Sequence, residues 1–369
     1  MNILHFIASL EVGGLERMVL GLAGLQTRRG HSVTIGCLLG EGRLAAQARA
    51  AGIQVFHCDK RAGPELRSIM IIRRALRAAR AEVLHTHNAV PHYYATAAAL
   101  GLGLRRIIST RHNMGVQVYS ARREALYKLA MRWTDSGVSV CQAAHKKFVA
   151  DRVISAEKAR TIVNGIDLDQ FAPREPAARL QILHMLDLPE SAVVVTSVGR
   201  LSDVKNPAMM LQAIKSVRIR GIDVALLMIG DGPLRASLES LAAELGIFDV
   251  VRFLGIRDDV ADLLKGSDVY LQSSLTEGYS MALVEASSAQ LPILATDVGG
   301  NAEIVQNGQT GWLVASGDVA AMADALEKLA RDANARLRLG AAARDWAVRA
   351  GSLDTMYAAY LRLYGDTRP

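Results

Sequence analysis

The stretch "DVYLQSSLTEGYSMALVEASSAQLPILATDVGG", Asp268–Gly300, decides how this chain is read. A β-branched run ends near Ser274, and a loop containing glycine follows. A helix begins near Ser280, and a second apolar run starts at Leu291. Strand, short loop, helix and strand in that order are the unit from which parallel sheets are built. Inside it stand two carboxylates, Glu277 in the loop and Glu285 more than a turn into the helix. The first-turn N–H groups of Tyr279, Ser280 and Met281 have no helical partner, and the helix dipole favours phosphate there. A carboxylate does not share that spot comfortably, so each glutamate faces something else. Carboxylates accept hydroxyl hydrogen bonds, which is how proteins hold sugars and riboses. The stretch therefore predicts a nucleotide diphosphate sugar, with a polyol on each glutamate and the diphosphate between.

The same alternation extends in both directions. The first half carries the runs "NILHFIAS", "SVTIGCLL", "QVFHCD", "EVLHTHN", "RRIISTRH", "GVSVCQ" and "RTIVNGID", separated by Ala/Arg-rich helical stretches. The second half carries "AVVVTSVGRL", "DVALLMIGDG", "DVVRFLG", "SDVYLQSS" and "LPILATDVGG", and reads as helical after Gly311. With 369 residues the chain exceeds one ordinary core. It predicts two doubly wound α/β domains, residues 1–170 and 171–345, joined by the Pro- and charge-rich "FAPREPAARL", Phe171–Leu180. A last helical segment, 346–369, holds "SLDTMYAAYLRLYG", with Ser352 as N-cap and Gly365 as stop.

Composition narrows the class. Cys37, Cys58 and Cys141 are scattered and lack CxxC spacing, as expected of buried thiols in a reducing compartment. The N-terminus "MNILHFIASLEVGG" has no basic leader, and no apolar run reaches a membrane span, so a cytoplasmic location is expected. Residues 1–170 hold 24 Lys and Arg against 12 Asp and Glu, a balance of +12, while the remainder carries −5. One half thus expects an anionic surface. In "ELRSIMIIRRALRAAR", Ile69, Ile72, Ala75, Leu76 and Ala79 share one helical face. Arg67, Arg73, Arg74, Arg77 and Arg80 occupy the other, with Leu66 and Met70 among them. That face predicts peripheral contact with anionic lipid. A basic nucleic-acid binder would need aromatic stacking or a recognition helix in the basic half, and neither is evident.

In doubly wound sheets ligands bind at loops after strands. After the first strand, "SLEVGGLER" places Gly13 and Gly14 at a helix start, an anion site without the GxGxxG spacing of a dinucleotide fingerprint. "SVGRLSDVKNP" puts Arg200 and Lys205 on one post-strand loop, able to grip a diphosphate as a fork and a point charge. "HTHN" and "STRHNM" end two separate strands in His-Asn, with His85, His87, Arg111, His112 and Asn113. No metal cluster and no cofactor is expected.

Together with "NGIDLDQFAP", "IGDGPLRASLESLAAELGI", "VRFLG" and "TEGYSMALVEASSAQLPILATDVGGNAEIVQNGQTGWLV", these motifs run nearly the full length. The sequence resembles the retaining GT-B glycosyltransferases of family four, a group that includes sucrose synthases and bacterial mannosyltransferases. The resemblance implies that Gly13 and Gly14 contact donor phosphate and that Arg200 and Lys205 neutralise the leaving diphosphate. Glu277 and the Gly278–Met281 backbone would hold the sugar and phosphate, Glu285 the ribose and Ile256 the base. His112 would reach the reacting sugar, and His87, Arg111 and Asn113 would fall on the acceptor side. It also implies retention of anomeric configuration, a glycan or lipid-linked acceptor, no metal, and a final helix on the first domain. A sugar-nucleotide epimerase or a phosphorylase is the enzymatic alternative, although no pyridoxal-binding lysine is identifiable in the second half. A non-catalytic carbohydrate-sensing protein is the remaining one.

Overall fold

The computed structural model describes residues 1–365 apart from 115–119, 172, 174 and 186. It divides into two units, Met1–Ile166 joined by the chain from Leu353 on, and Asp167–Ser352.

The first unit is built on β1 (Asn2–Ile7), β2 (Ser32–Cys37), β3 (Gln54–His57), β4 (Val83–His87), β5 (Arg106–Arg111), β6 (Ser136–Ser139) and β7 (Ala159–Thr161). All are parallel, in the order β3-β2-β1-β4-β5-β6-β7. These seven strands match the seven runs of the first half. The inner strands, such as β1 and β4, are buried on both faces, which is why they do not read as apolar–polar alternation. One face packs Leu4, Phe6 and Leu84 against the helices Leu66–Ala78 and Ala89–Ala99. The other carries His5, His85, His87 and Thr110, and is covered by the first helix, Gly14–Arg28, and the last, Leu353–Tyr364. The last helix is held by polar contacts. The Tyr357 hydroxyl lies 2.8 Å from His31 Nε2, Tyr360 2.9 Å from Thr110 and Tyr364 2.8 Å from His85 Nδ1.

The second unit contains β8 (Val193–Val198), β9 (Val224–Ile229), β10 (Val251–Gly255), β11 (Val269–Gln272), β12 (Ile293–Thr296) and β13 (Gly311–Val314). They too are parallel, in the order β10-β9-β8-β11-β12-β13. The strand order reverses between β1 and β4 in one sheet and between β8 and β11 in the other, the crevice where such sheets take ligands.

Three expectations need correction. The sequence after Gly311 does not turn helical at once, because Gly311–Val314 adds an edge strand to β12. Gly311 is needed there, since a Cβ would meet Ile293 O at 2.1 Å. The stretch Phe171–Leu180 is not a plain linker. Ala172 and Arg174 lie outside the described residues, but Pro176–Met185 is a helix that buries Ile182 and Leu183 in the second unit. Its Arg179 reaches Asp268, at the foot of β11, with Nε at 3.1 Å. Finally, the helix Ala333–Ala350 stays with the second unit, so the chain joins the first unit at Leu353 and not at 346; residues 366–369 lie outside the described residues.

Candidate functional site

In the second unit the post-strand loops of β8, β9, β11 and β12 lock together through glycines. Gly230, at φ +128°, lies against Gly199, where a Cβ would meet the carbonyl oxygen at 2.0 Å. Gly232 is as close to Leu201. Gly299, at φ +55°, backs onto Glu277, where a Cβ would sit 1.8 Å from the carbonyl oxygen. Gly300 N–H donates to Gly278 O at 3.1 Å. Any side chain at these points would push one loop off another, so the glycines set where Arg200 and Glu277 stand.

Lys205 and Glu277 meet there. Lys205 ends a 3-10 turn, Asp203–Lys205, and Asn206 in the left-handed region hands the chain to the helix Pro207–Ile219 with proline at its first position. Lys205 Nζ lies 2.5 Å from Glu277 Oε1. Ser274 Oγ and Gln272 Nε2 donate to the same oxygen at 2.6 and 3.2 Å. Ser280 Oγ donates to Gln272 Oε1 at 2.9 Å, fixing the amide that faces Glu277. A small pocket runs alongside, lined by Gly199, Arg200, Lys205, Gln272, Ser273 and Ser274 among others. Arg200 is exposed at its rim.

The helix starts near Ser280, as the sequence predicted: it runs Met281–Ser288 with Ser280 at the N-cap position, Gly278 and Met281 half-buried and Tyr279 buried. Glu285 is half-buried on that helix. Both glutamates act on Tyr270, whose phenol is pushed up by burial first and by the two carboxylates after. Its hydroxyl donates to Val198 O at 3.2 Å, tying β11 to the end of β8. Ile256, directly after β10, is 58% exposed, an apolar surface at the sheet's carboxyl edge. Sequence reasoning missed Gln272, Ser274 and the Gly299–Gly300 pair. The glycines were legible as a turn, but nothing local said that their partner is Glu277.

In the first unit, Gly13 caps the helix that begins at Gly14. Glu16 folds back over it, so that a Cβ on Gly13 would meet Glu16 Oε2 at 2.3 Å. Burial holds the Glu16 carboxyl above the usual carboxylate range.

The strand ends supply a buried histidine cluster. His5 Nε2 lies 2.8 Å from Gln26 Oε1, and His5 Nδ1 lies 3.1 Å from His87 Nε2. His87 Nδ1 lies 3.1 Å from His112 Nε2. His85 is held between Tyr364 and Thr110, 2.8 Å from each. Burial lowers the His5 imidazole to about 4, His112 to about 3 and His85 and His87 well below the ordinary value, so all four are neutral near pH 7. His5, His85 and His87 bring ring nitrogens within 4.8 Å of one another. Those nitrogens already bond each other or Gln26, Tyr364 and Thr110, so a metal would have to break that network.

Two acceptor-side expectations change. Strand alternation turns Arg111 away from His112, into the opposite face of the sheet. There its guanidinium is fully buried, 4.9 and 4.4 Å from the Tyr127 and Phe148 ring centres, with Nη1 2.7 Å from Glu124 Oε1. Arg111 is a structural residue. His87 is buried with both nitrogens engaged, so it reaches a substrate only through His112. Asn113 is half-buried. Asn88, at φ +66°, accepts the His112 backbone N–H on its side chain at 3.0 Å, a role the sequence did not suggest.

The arginine-bearing helix Leu66–Ala78 buries Ser68, Ile72 and Leu76, and leaves Leu66 and Met70 77% and 55% exposed. Arg73 is not on its free face, because Nη1 donates to Ala98 O and Leu100 O at 2.9 and 2.7 Å. Arg67, Arg74, Arg77 and Arg80 are exposed. Among the described residues no helix is long and apolar enough to cross a membrane.

Known proteins are similar to this chain in sequence and in fold. Residues 182–346 match the family of glycosyl transferases group 1, and residues 12–170 match glycosyltransferase family 4. The UDP-Gal:alpha-D-GlcNAc-diphosphoundecaprenol alpha-1,3-galactosyltransferase of Escherichia coli is 27% identical, over 73% of this chain and 71% of that protein. A GDP-mannose-dependent alpha-(1-6)-phosphatidylinositol monomannoside mannosyltransferase of Mycobacterium tuberculosis is 27% identical over 94% and 93%. Among solved structures, Anabaena HepE in complex with UDP superposes with a TM-score of 0.87 at 20% identity, covering 99% of this chain and 100% of that one. Two all-parallel sheets, each with its residues of interest beyond the strand ends, and two family matches that together span most of the chain lead to one placement: this protein is a GT-B member of the group 1 glycosyltransferases, family 4.

Proposed function

We propose that the chain is a retaining, metal-independent hexosyltransferase. It moves a sugar from a UDP- or GDP-sugar to a glycan or lipid-linked acceptor in cell-surface polysaccharide or glycolipid synthesis, on the cytoplasmic side of a membrane. The observation that carries this reading is the Lys205–Glu277 junction, set by glycine-locked loops beside a helix N-terminus. A cation for phosphate and a carboxylate for hydroxyls stand in contact, as a sugar diphosphate requires.

On this reading Arg200 and Lys205 take the charge that grows on the departing diphosphate, and the amides of Gly278–Met281 bind its oxygens. Glu277 accepts hydroxyl bonds from the transferred sugar and Glu285 from the ribose. Ile256 packs on the base, and Gly13 and Gly14 approach donor phosphate by backbone. His112 meets the transferred sugar, with Asn113 on the acceptor side. The acceptor oxygen attacks the face from which the diphosphate leaves, and the leaving phosphate takes the proton. Catalysis is then positioning plus electrostatic stabilisation, the role a metal fills elsewhere. The alpha linkages named for the two relatives favour retention, and their UDP-Gal and GDP-mannose donors bracket the choice of base.

The exposed apolar and arginine face of the helix Leu66–Ala78 is the proposed membrane contact.

The test is a donor panel: purified protein with UDP-glucose, UDP-galactose, UDP-N-acetylglucosamine and GDP-mannose, with release of UDP or GDP followed with and without EDTA. Turnover of one donor, unaffected by EDTA and giving an alpha-linked product by NMR, supports the reading. Binding without cleavage points to the sensing protein, and a beta-linked product removes retention.

A further inference from the structure

The histidines at the strand ends form one directional run. Gln26 on the first helix, His5 on β1, His87 on β4 and His112 after β5 are linked end to end across three neighbouring strands. An imidazole can pass a hydrogen bond in either sense, depending on which nitrogen carries the proton. Gln26 cannot, because its carbonyl end only accepts and its amino end only donates. Its Oε1 faces His5 Nε2, so His5 carries its proton there and its Nδ1 is bare. His87 must then donate from Nε2 to His5 Nδ1, and His112 from Nε2 to His87 Nδ1. The run ends at His112 Nδ1, a buried nitrogen with no hydrogen-bond partner among the described residues. A second branch holds the amide in place. Gln26 Nε2 donates to the Tyr364 hydroxyl at 3.4 Å, and that hydroxyl donates to His85 Nδ1 at 2.8 Å. Reversing the amide would reverse both branches at once.

We infer that Gln26, His5 and His87 are positioning residues for His112: they hold it as the Nε2–H tautomer and leave its buried Nδ1 as a bare hydrogen-bond acceptor. A buried acceptor left unpaired is costly, and such atoms mark places where a ligand completes the bonding. The Asn88 side chain fixes the His112 backbone at the same point, so both ring and main chain are held. The acceptor suits a hydroxyl of the transferred sugar. This last step rests on the proposed donor role of His112, whereas the tautomer does not.

The experiment is a long-range proton–nitrogen NMR spectrum of the whole chain with labelled histidine at pH 7.5, assigned with His5→Asn and His112→Gln. The expected result is a neutral His112 with its proton on Nε2, and the same tautomer at His5 and His87. A proton on His112 Nδ1, or a charged ring, overturns the inference. The near-isosteric Gln26→Met removes both amide ends. It should leave His112 in mixed tautomers and lower turnover of the best donor of the four-sugar panel by up to about tenfold, the worth of one oriented neutral hydrogen bond. Donor KM should stay within about twofold, since the Gln26 side chain bonds His5 and Tyr364 and none of the residues assigned to donor phosphate. If Gln26→Met is folded and its His112 tautomer is unchanged, the relay does not position His112. If instead His112→Ala keeps near-native turnover while the tautomers are as stated, the donor role fails and the relay stands.

Discussion

Acidification should unfold the first unit well before the second. Four imidazoles buried in its core, His5, His85, His87 and His92, are held neutral by burial, with His5 lowered to about 4 and His92 to about 3. In the unfolded chain each returns to its ordinary value of 6.5. Below that value the unfolded state binds protons that the folded state refuses, so stability falls as pH falls. Between pH 7.5 and 5.5 one such residue loses about 1.4 kcal/mol, a figure that requires only a folded value well under 5.5. With His112, lowered to about 3 by the same cause, five amount to about 7 kcal/mol, comparable with the whole stability of many domains. Carboxylates held low by arginine, such as Glu327 and Asp259 in the second unit, act only nearer pH 4, and Glu16, raised by burial, works weakly in the opposite direction. The assay is hydrogen exchange by mass spectrometry at pH 7.5, 6.5 and 5.5, corrected for intrinsic rates, comparing peptides of β1 and β4 with those of β8 and β9. Protection should collapse in the first pair and persist in the second. His92→Gln should flatten the pH slope by about a fifth. Equal pH dependence in both units would refute the reasoning, because it would mean that the cluster carries protons in the folded state.

Arg200→Ala should lower turnover on the order of a hundred- to a thousand-fold with an unchanged melting temperature, because Arg200 is exposed. Lys205→Ala should lose turnover similarly but also some stability, since it leaves Glu277 without its cation; steady-state kinetics with thermal melts distinguish the two. Gly299→Ala should cut donor binding and stability by about 2 kcal/mol or more, as φ +55° and a Cβ 1.8 Å from Glu277 O both oppose it; calorimetric titration with UDP reads the first, and native-like UDP affinity would contradict the loop-lock argument. Vesicles containing anionic lipid should pull down the protein at low salt, and replacing Arg67, Arg74 and Arg77 by Gln should abolish this; equal recovery on neutral vesicles would dismiss the membrane face.

The strands, the helix start near Ser280 and the paired glutamates were legible because each is a local property: β-branched runs, a glycine loop before a helical stretch, two carboxylates at fixed spacing. The edge strand β13 was not, since it is only four residues long and opens on a glycine that follows a turn. Periodicity also placed Arg111 and His112 side by side at a strand end, without saying which face each would take. The register of β4 and β5 decided that, sending Arg111 between Tyr127 and Phe148 and His112 toward His87. Lys205 and Glu277 are 72 residues apart and His5 and His87 are 82 apart. Spacing along a chain does not encode such pairs. The sequence by itself determined two parallel sheets and the chemistry at their strand ends. Only the tertiary structure decided which cation meets which carboxylate, and joined four separated polar residues into one oriented run, because hydrogen bonds between strands depend on register and packing and not on neighbours in sequence.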